Sequence, residues 1–244
     1  MKGKKKVAIG RVPTGIPSLD AVLGGALPEY SFNLIAGGPG TGKTTLAHQI
    51  VFSTSSPERR ALYFTVLGEP PLKMLRYQQQ FSFFDGDKIP EVVRFVNLDE
   101  EALQVGLEAV LDTISREVEA FRPSVVVIDS IRTLVLSPLL STVQSQAFVQ
   151  RLAATLTSAQ VTTLLIGEYS EAEIATSSLF LVADGIIWLT QQIERNSIVR
   201  KLQVMKIRGQ SPIPGLQTSG SLRMVSRPFR GCRRPPSAAS PRRQ

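Results

Sequence analysis

Apolar residues in this chain fall into short continuous runs separated by stretches of helical spacing. Residues 31–36 read as a strand entering a Gly-rich turn, and a helix is predicted from Lys43 to about Ser53. Residues 61–66 form the next strand, followed by a helix from Pro71 to about Phe83 with proline in its first turn. A third strand is predicted over 91–97. Leu103, Leu107, Val110, Ile114 and Val118 recur three to four residues apart and mark one long amphipathic helix. The run 125–128 is continuous and β-branched, as in strands buried on both faces. A helix over 144–158, a strand over 161–166 and strands near 185–190 and 198–206 complete the pattern. Strands separated by helices predict an α/β fold with a mainly parallel central sheet flanked by helices. The closer spacing of the last strands predicts antiparallel pairing near the C-terminus.

Composition narrows the class. Of 244 residues, 43% are apolar and 20% charged, enough for a sizeable core and unlike a disordered, collagen-like or disulfide-rich chain. No apolar run approaches the ~20 residues that span a bilayer; the longest, 179–189, is broken by Asp184 and Gly185. The basic stretch 1–6 precedes only Val7, Ala8 and Ile9, too few for a secretory leader. Cys232 is the single cysteine and His48 the single histidine, so neither an internal disulfide nor a zinc enzyme is expected. The expected compartment is the cytoplasm, without membrane contact.

The net charge of +8 belongs to the ends. Five basic residues lie in 1–11 and six in 227–244, with no acid in either, which leaves 12–226 at −3. Residues 227–244 carry four prolines and one phenylalanine, too little apolar surface to offset chain entropy. One domain is expected over 1–226, followed by a disordered basic tail over 227–244. Weak, salt-sensitive nucleic-acid binding by the basic ends is the alternative to plain solvated tails.

The chemistry begins at Gly37–Thr44, which fits G-x-x-x-x-G-K-[ST]. Such a match arises by chance about once in a hundred chains of this length, and here a strand precedes it and a helix comes after it. Gly38, Pro39, Gly40, Thr41, Gly42, Lys43, Thr44 and Thr45 are the expected phosphate-binding residues for ATP. Backbone N–H groups and the helix N-terminus cradle phosphate, Lys43 reaches the β- and γ-phosphates, and the Thr44 hydroxyl ligates Mg²⁺. Asp129, ending the run 125–128, is the expected Walker B acid beside the metal.

Further motifs lie in order around this loop: Thr14–Asp20 and Leu23–Pro28 before it, then Tyr63-Phe64-Thr65, Val126–Ser130, Ala183–Ile187 and Lys206-Ile207-Arg208-Gly209. Together they resemble the KaiC/RadA-like branch of the RecA-superfamily P-loop ATPases over about residues 7–225. The resemblance implies an ATP-hydrolysing, oligomeric protein, usually a hexamer, with a regulatory or signalling output through a protein partner. It also implies a carboxylate after the second sheet strand that polarises the attacking water. The usual Glu-Glu pair stands here as Gly68 and Glu69, so Glu69 is the expected catalytic acid. Lys206 and Arg208 match the Lys-x-Arg that reaches the γ-phosphate of a neighbouring subunit, and Glu168 matches a strand-end position near the nucleotide. His48 and Trp188 are expected to be structural.

Three other outputs compete with this one. A RadA-like DNA-binding repair or recombination ATPase needs several basic residues after the Walker B strand, yet Thr133 to Ile187 holds only Arg151. Self-phosphorylation, known in the family's clock kinase, is not expected, because Phe180-Leu181 replaces the adjacent Ser and Thr. A nucleotide-gated scaffold with little hydrolysis is kept open by Gly68.

Overall fold

One eight-stranded sheet organises the computed structural model, which describes residues 9–66, 71–98, 105–136, 141–194 and 197–218. Along the chain run β1 (Arg11–Val12), α1 (Pro17–Val22), β2 (Leu27–Pro28), β3 (Phe32–Gly37), α2 (Lys43–Thr54), β4 (Ala61–Val66), α3 (Pro71–Gln78) and β5 (Val93–Leu98). They are followed by α4 (Leu107–Phe121), β6 (Val125–Asp129), α5 (Ile131–Val135), α6 (Thr142–Ser158), β7 (Thr162–Glu168), α7 (Ser178–Val182), β8 (Gly185–Glu194), β9 (Ser197–Ile207) and β10 (Gln217–Thr218). The strand order is β10-β9-β8-β3-β7-β6-β4-β5, and β1 and β2 form a separate ribbon. From β8 to β5 all neighbours are parallel, whereas β9 and β10 add antiparallel strands. The α/β class with a mainly parallel sheet and an antiparallel C-terminal portion is thus the observed one.

Strand parity divides the core. Phe32, Leu34, Leu62, Phe64, Val126, Ile128 and Leu165 face one side, where α4, α6 and α7 cover them. Ile35, Tyr63, Val127, Leu164 and Ile166 face the other, under α1 and α2. Two-sided cover explains why these strands read as unbroken apolar runs. Parity also aims two carboxylates. Asp129 and Glu168 lie two residues beyond Val127 and Ile166, so both project on the α2 side at the carboxyl edge.

Several boundaries differ from the sequence pattern for physical reasons. The helix expected to reach Phe83 stops at Gln78, after which the chain tightens into three-residue hydrogen bonds such as Phe81 N to Gln78 O. This turns Phe83 and Phe84 inward against Phe52, with ring centroids 6.4 and 5.0 Å away. The strand expected from Glu91 begins at Val93, because Val92 N donates to Lys88 O in a turn. Helix α6 starts earlier than expected, at Thr142, since Ser141 and Gln144 form a reciprocal capping box. Leu103, Gly68, Glu69 and the 227–244 tail lie outside the described residues.

Candidate functional site

The loop after β3 occupies the carboxyl edge of the parallel strands, where β3 lies between β7 and β8. Gly37 holds φ +144°, and a Cβ there would stand 2.0 Å from the Leu189 carbonyl, so only glycine lets β3 turn out beside β8. Gly40 and Gly42 adopt φ +71° and +96° and keep the loop open. Helix α2 then starts at Lys43 with Gly42 at its cap and no side-chain cap, leaving its first N–H groups directed at the loop. The hairpin of β8 and β9 runs past the loop and brings the cross-strand pair Gln191 and Arg200 alongside Gly40 and Gly42.

Lys43 is buried within this loop. Its Nζ donates to the Gly38 carbonyl at 2.7 Å and lies 3.8 Å from Glu168 Oε1. Burial lowers its pKa, opposed by Glu168 and Asp129. Thr41 Oγ1 closes the loop on the same Gly38 carbonyl at 2.9 Å. Thr44 Oγ1 donates to Asp129 Oδ2 at 2.8 Å. Desolvation raises the Asp129 pKa, against the pull of Thr44, Tyr63 and Lys43. Lys43, Thr44, Asp129 and Glu168 therefore converge around one loop.

A residue that sequence reasoning did not place in the site completes it. The Tyr63 hydroxyl donates to the same Asp129 oxygen at 2.8 Å. Parity could have found it: Thr65 pairs with Asp129 across β4 and β6, and Tyr63 lies two residues earlier on the same face. Its ring stacks on His48 at 4.6 Å and 7°. His48 is fully buried, and burial lowers its pKa to about 3; the Thr44 carbonyl offsets this only in part, and neither ring nitrogen makes a hydrogen bond of ordinary geometry. Trp188 lies in the core, 6.2 Å from Phe180.

Lys206 and Arg208 lie elsewhere. They sit at the amino edge of β3 and β8, where Lys206 pairs with Ile186, whereas the loop leaves β3 opposite Leu189. Lys206 Nζ donates to the Leu181 and Phe180 carbonyls at 3.2 and 3.5 Å. Arg208 pairs with Asp184 at 3.0 Å, and Asp184 Oδ2 also accepts from Phe32 N. Neither cation reaches the phosphate loop of its own chain.

The donor set at the loop fits a divalent cation shared with phosphate. A threonine hydroxyl and a carboxylate 2.8 Å apart are the hard oxygen donors that Mg²⁺ takes. No group of three or more His, Cys, Asp or Glu capable of holding a metal occurs among the described residues, so such a cation would draw its remaining ligands from phosphate and water. No helix among them is long and apolar enough to cross a membrane.

Comparison with known proteins gives a consistent result. A family model described as ATPase: KaiC matches residues 12–214. A UPF0273 protein of Thermotoga maritima is 29% identical over 223 residues, covering 83% of this chain and 89% of that protein. DNA repair protein RadA of Mycobacterium tuberculosis is 28% identical over 202 residues, covering 80% of this chain but only 39% of RadA. Among solved structures, a KaiC-like protein of Pyrococcus horikoshii superposes with a TM-score of 0.73 at 26% identity, covering 86% of this chain and 95% of that one.

Proposed function

The chain belongs to the KaiC family of ATPases, and we propose that it binds Mg²⁺·ATP, hydrolyses it as a homo-oligomer and serves a regulatory or signalling role through a protein partner. The carrying observation is the Thr44–Asp129 hydrogen bond beside the buried Lys43. Lys43 leaves the Gly38 carbonyl for the β- and γ-phosphates, while loop N–H groups and the start of α2 hold the phosphate oxygens. Thr44 and Asp129 hold Mg²⁺, which when bound neutralises charge on the phosphates. Tyr63 keeps Asp129 aimed at Thr44.

Hydrolysis breaks the bond from the γ-phosphorus to the bridging oxygen as a water oxygen bonds to that phosphorus. Glu69 orients this water and takes its proton, releasing ADP and phosphate. Glu69 enters from the family pattern, since it lies outside the described residues. Lys206 and Arg208, remote from their own loop, serve a neighbour's site, and an arginine given in trans can be worth ~10³–10⁵ in rate. A hexameric ring in the cytoplasm is the arrangement proposed. DNA repair in the manner of the RadA relative is disfavoured by charge. The one basic residue from Thr133 to Ile187, Arg151, is engaged by Glu108.

Steady-state ATP hydrolysis with Mg²⁺, measured against protein concentration, tests this reading. Specific activity should rise with assembly and collapse in Lys43→Ala, Glu69→Gln and Arg208→Ala. Mixing Lys43→Ala with Arg208→Ala should restore part of it, because each supplies what the other lacks. Bound ATP without turnover in the wild-type chain would leave a nucleotide-gated scaffold. Activity independent of concentration, with no rescue on mixing, would remove the trans role of Arg208.

A further inference from the structure

Two loops leave the carboxyl edge beside the phosphate loop, one after β6 and one after β7, and a single side chain ties them. Arg132, in the first turn of α5, donates through one guanidinium nitrogen to the Glu168 carbonyl and to Glu173 Oε1, each at 2.6 Å. The guanidinium also lies over the Tyr169 ring, 5.0 Å from its centre. Glu173 is anchored in turn, its other oxygen accepting from Ser170 N and Oγ at 2.8 Å each. Those donors and Arg132 hold its carboxyl down at about 2, so it stays an anionic partner across the working pH range.

The backbone on either side of Glu168 is fixed as well. Tyr169 N donates to the Gly37 carbonyl at 3.3 Å, linking β7 to the start of the phosphate loop. Gly167 lets the Tyr169 ring fold back across β7, since a Cβ there would stand 2.4 Å from the ring. Between these anchors the Glu168 side chain is 58% exposed, and its ionic partner among the described residues is Lys43.

We propose that Arg132, locked by Glu173, is a positioning residue that sets where the Glu168 carboxylate stands beside Lys43, and thereby sets the site's discrimination between ATP and ADP. This rests on the nucleotide-binding reading above. A carboxylate held at Lys43 competes with phosphate for the ammonium and repels added negative charge. The penalty falls harder on the triphosphate, whose extra group carries the additional charge. Freeing Glu168 to swing into water removes that penalty, so loss of Arg132 favours ATP over ADP.

The experiment is titration of the full chain with fluorescent ADP and a slowly hydrolysed fluorescent ATP analogue in Mg²⁺, with melting curves alongside. Arg132→Met and Glu168→Gln should each move the affinity ratio about 5-fold toward ATP, equivalent to about 1 kcal/mol. In a Glu168→Gln background, Arg132→Met should add nothing to the ratio while still lowering Tm. Glu173→Gln, which loosens Arg132 without touching the Tyr169 ring, should shift the ratio the same way and serves if Arg132→Met fails to fold. A ratio unmoved by Arg132→Met and Glu173→Gln, or moved equally in the Glu168→Gln background, overturns the proposal. A wild-type chain that binds neither nucleotide overturns the nucleotide-binding reading itself.

Discussion

Tyr63→Phe removes one oxygen atom and nothing else from a fully buried ring. The ring would keep its stacking on His48 and its contact with Phe95 at 5.1 Å. What disappears is the 2.8 Å hydrogen bond to Asp129 Oδ2. A hydrogen bond to a charged group is worth about 1.5–3 kcal/mol, and each kcal/mol moves Tm by about 2–4 °C in a domain of this size. The nucleotide-free variant should therefore melt about 3–12 °C below the wild type where Asp129 is ionised. The effect has a direction in pH. Burial already raises the Asp129 pKa, so the folded chain favours the protonated acid, and this group's contribution to stability falls as pH rises through its folded value. Losing a bond that favours the carboxylate raises that value further. The deficit is full only above it and shrinks as pH falls, where a bond to a neutral acid is worth about 0.5–1.5 kcal/mol. Melts of both proteins at about pH 5, 6, 7 and 8, with Mg²⁺·ADP affinity measured at each, check the chain of reasoning. Coincident melts at the alkaline end together with an unchanged Mg²⁺ requirement would refute it.

Two other perturbations isolate single causes. Gly37→Ala places a Cβ 2.0 Å from the Leu189 carbonyl at φ +144°, whereas Gly38→Ala meets nothing within 4 Å. The first should lose at least about 3 kcal/mol and melt more than about 6 °C lower, and the second should melt within about 2 °C of the wild type. His48, neutral in the fold down to about 3, takes its proton only on unfolding as pH falls below about 6.5. It draws off up to about 1.4 kcal/mol of stability per pH unit over that window. His48→Phe should flatten the acid limb of stability against pH in urea titrations; an unchanged limb would show that His48 does not supply it.

The sheet was legible because strands covered on both faces have no polar alternation to disguise them, and the glycine-rich loop because its backbone geometry demands particular residues. Tyr63 was visible as part of a strand and of a family motif, with no role in the site attached to it. Its hydroxyl matters through a neighbour two strands' worth of chain away, and the clue lay in parity rather than in local pattern. Arg132 was equally hidden, since its partners Glu168 and Glu173 lie far along the chain, at the end of β7 and in the turn after it. The left-handed turns at Arg122 and Gln160, φ 51° and 57°, carry no glycine to announce them. The end of α3 was overestimated because Phe83 and Phe84 continue a plausible helical face yet find better company on Phe52. Glu69, the proposed acid, rests on family pattern alone.

Strand β9 contains one residue more than its partner needs. Ile186 pairs with Lys206 and Ile187 with Val204, which leaves Met205 unmatched as a bulge. Leu202 and Val204 point inward before it and Ile207 after it, so the extra residue resets the alternation and turns Lys206 out of the core. For heredity this makes position 205 a buffer, where neither the identity of the side chain nor the presence of the residue sets the register of its neighbours. A missense change there keeps both cations in place. Loss of its codon would close the ladder with Lys206 still opposite Ile186 and Ile207 still turned inward, so the charge proposed for a neighbour's site would be kept, in a chain whose own phosphate loop is untouched.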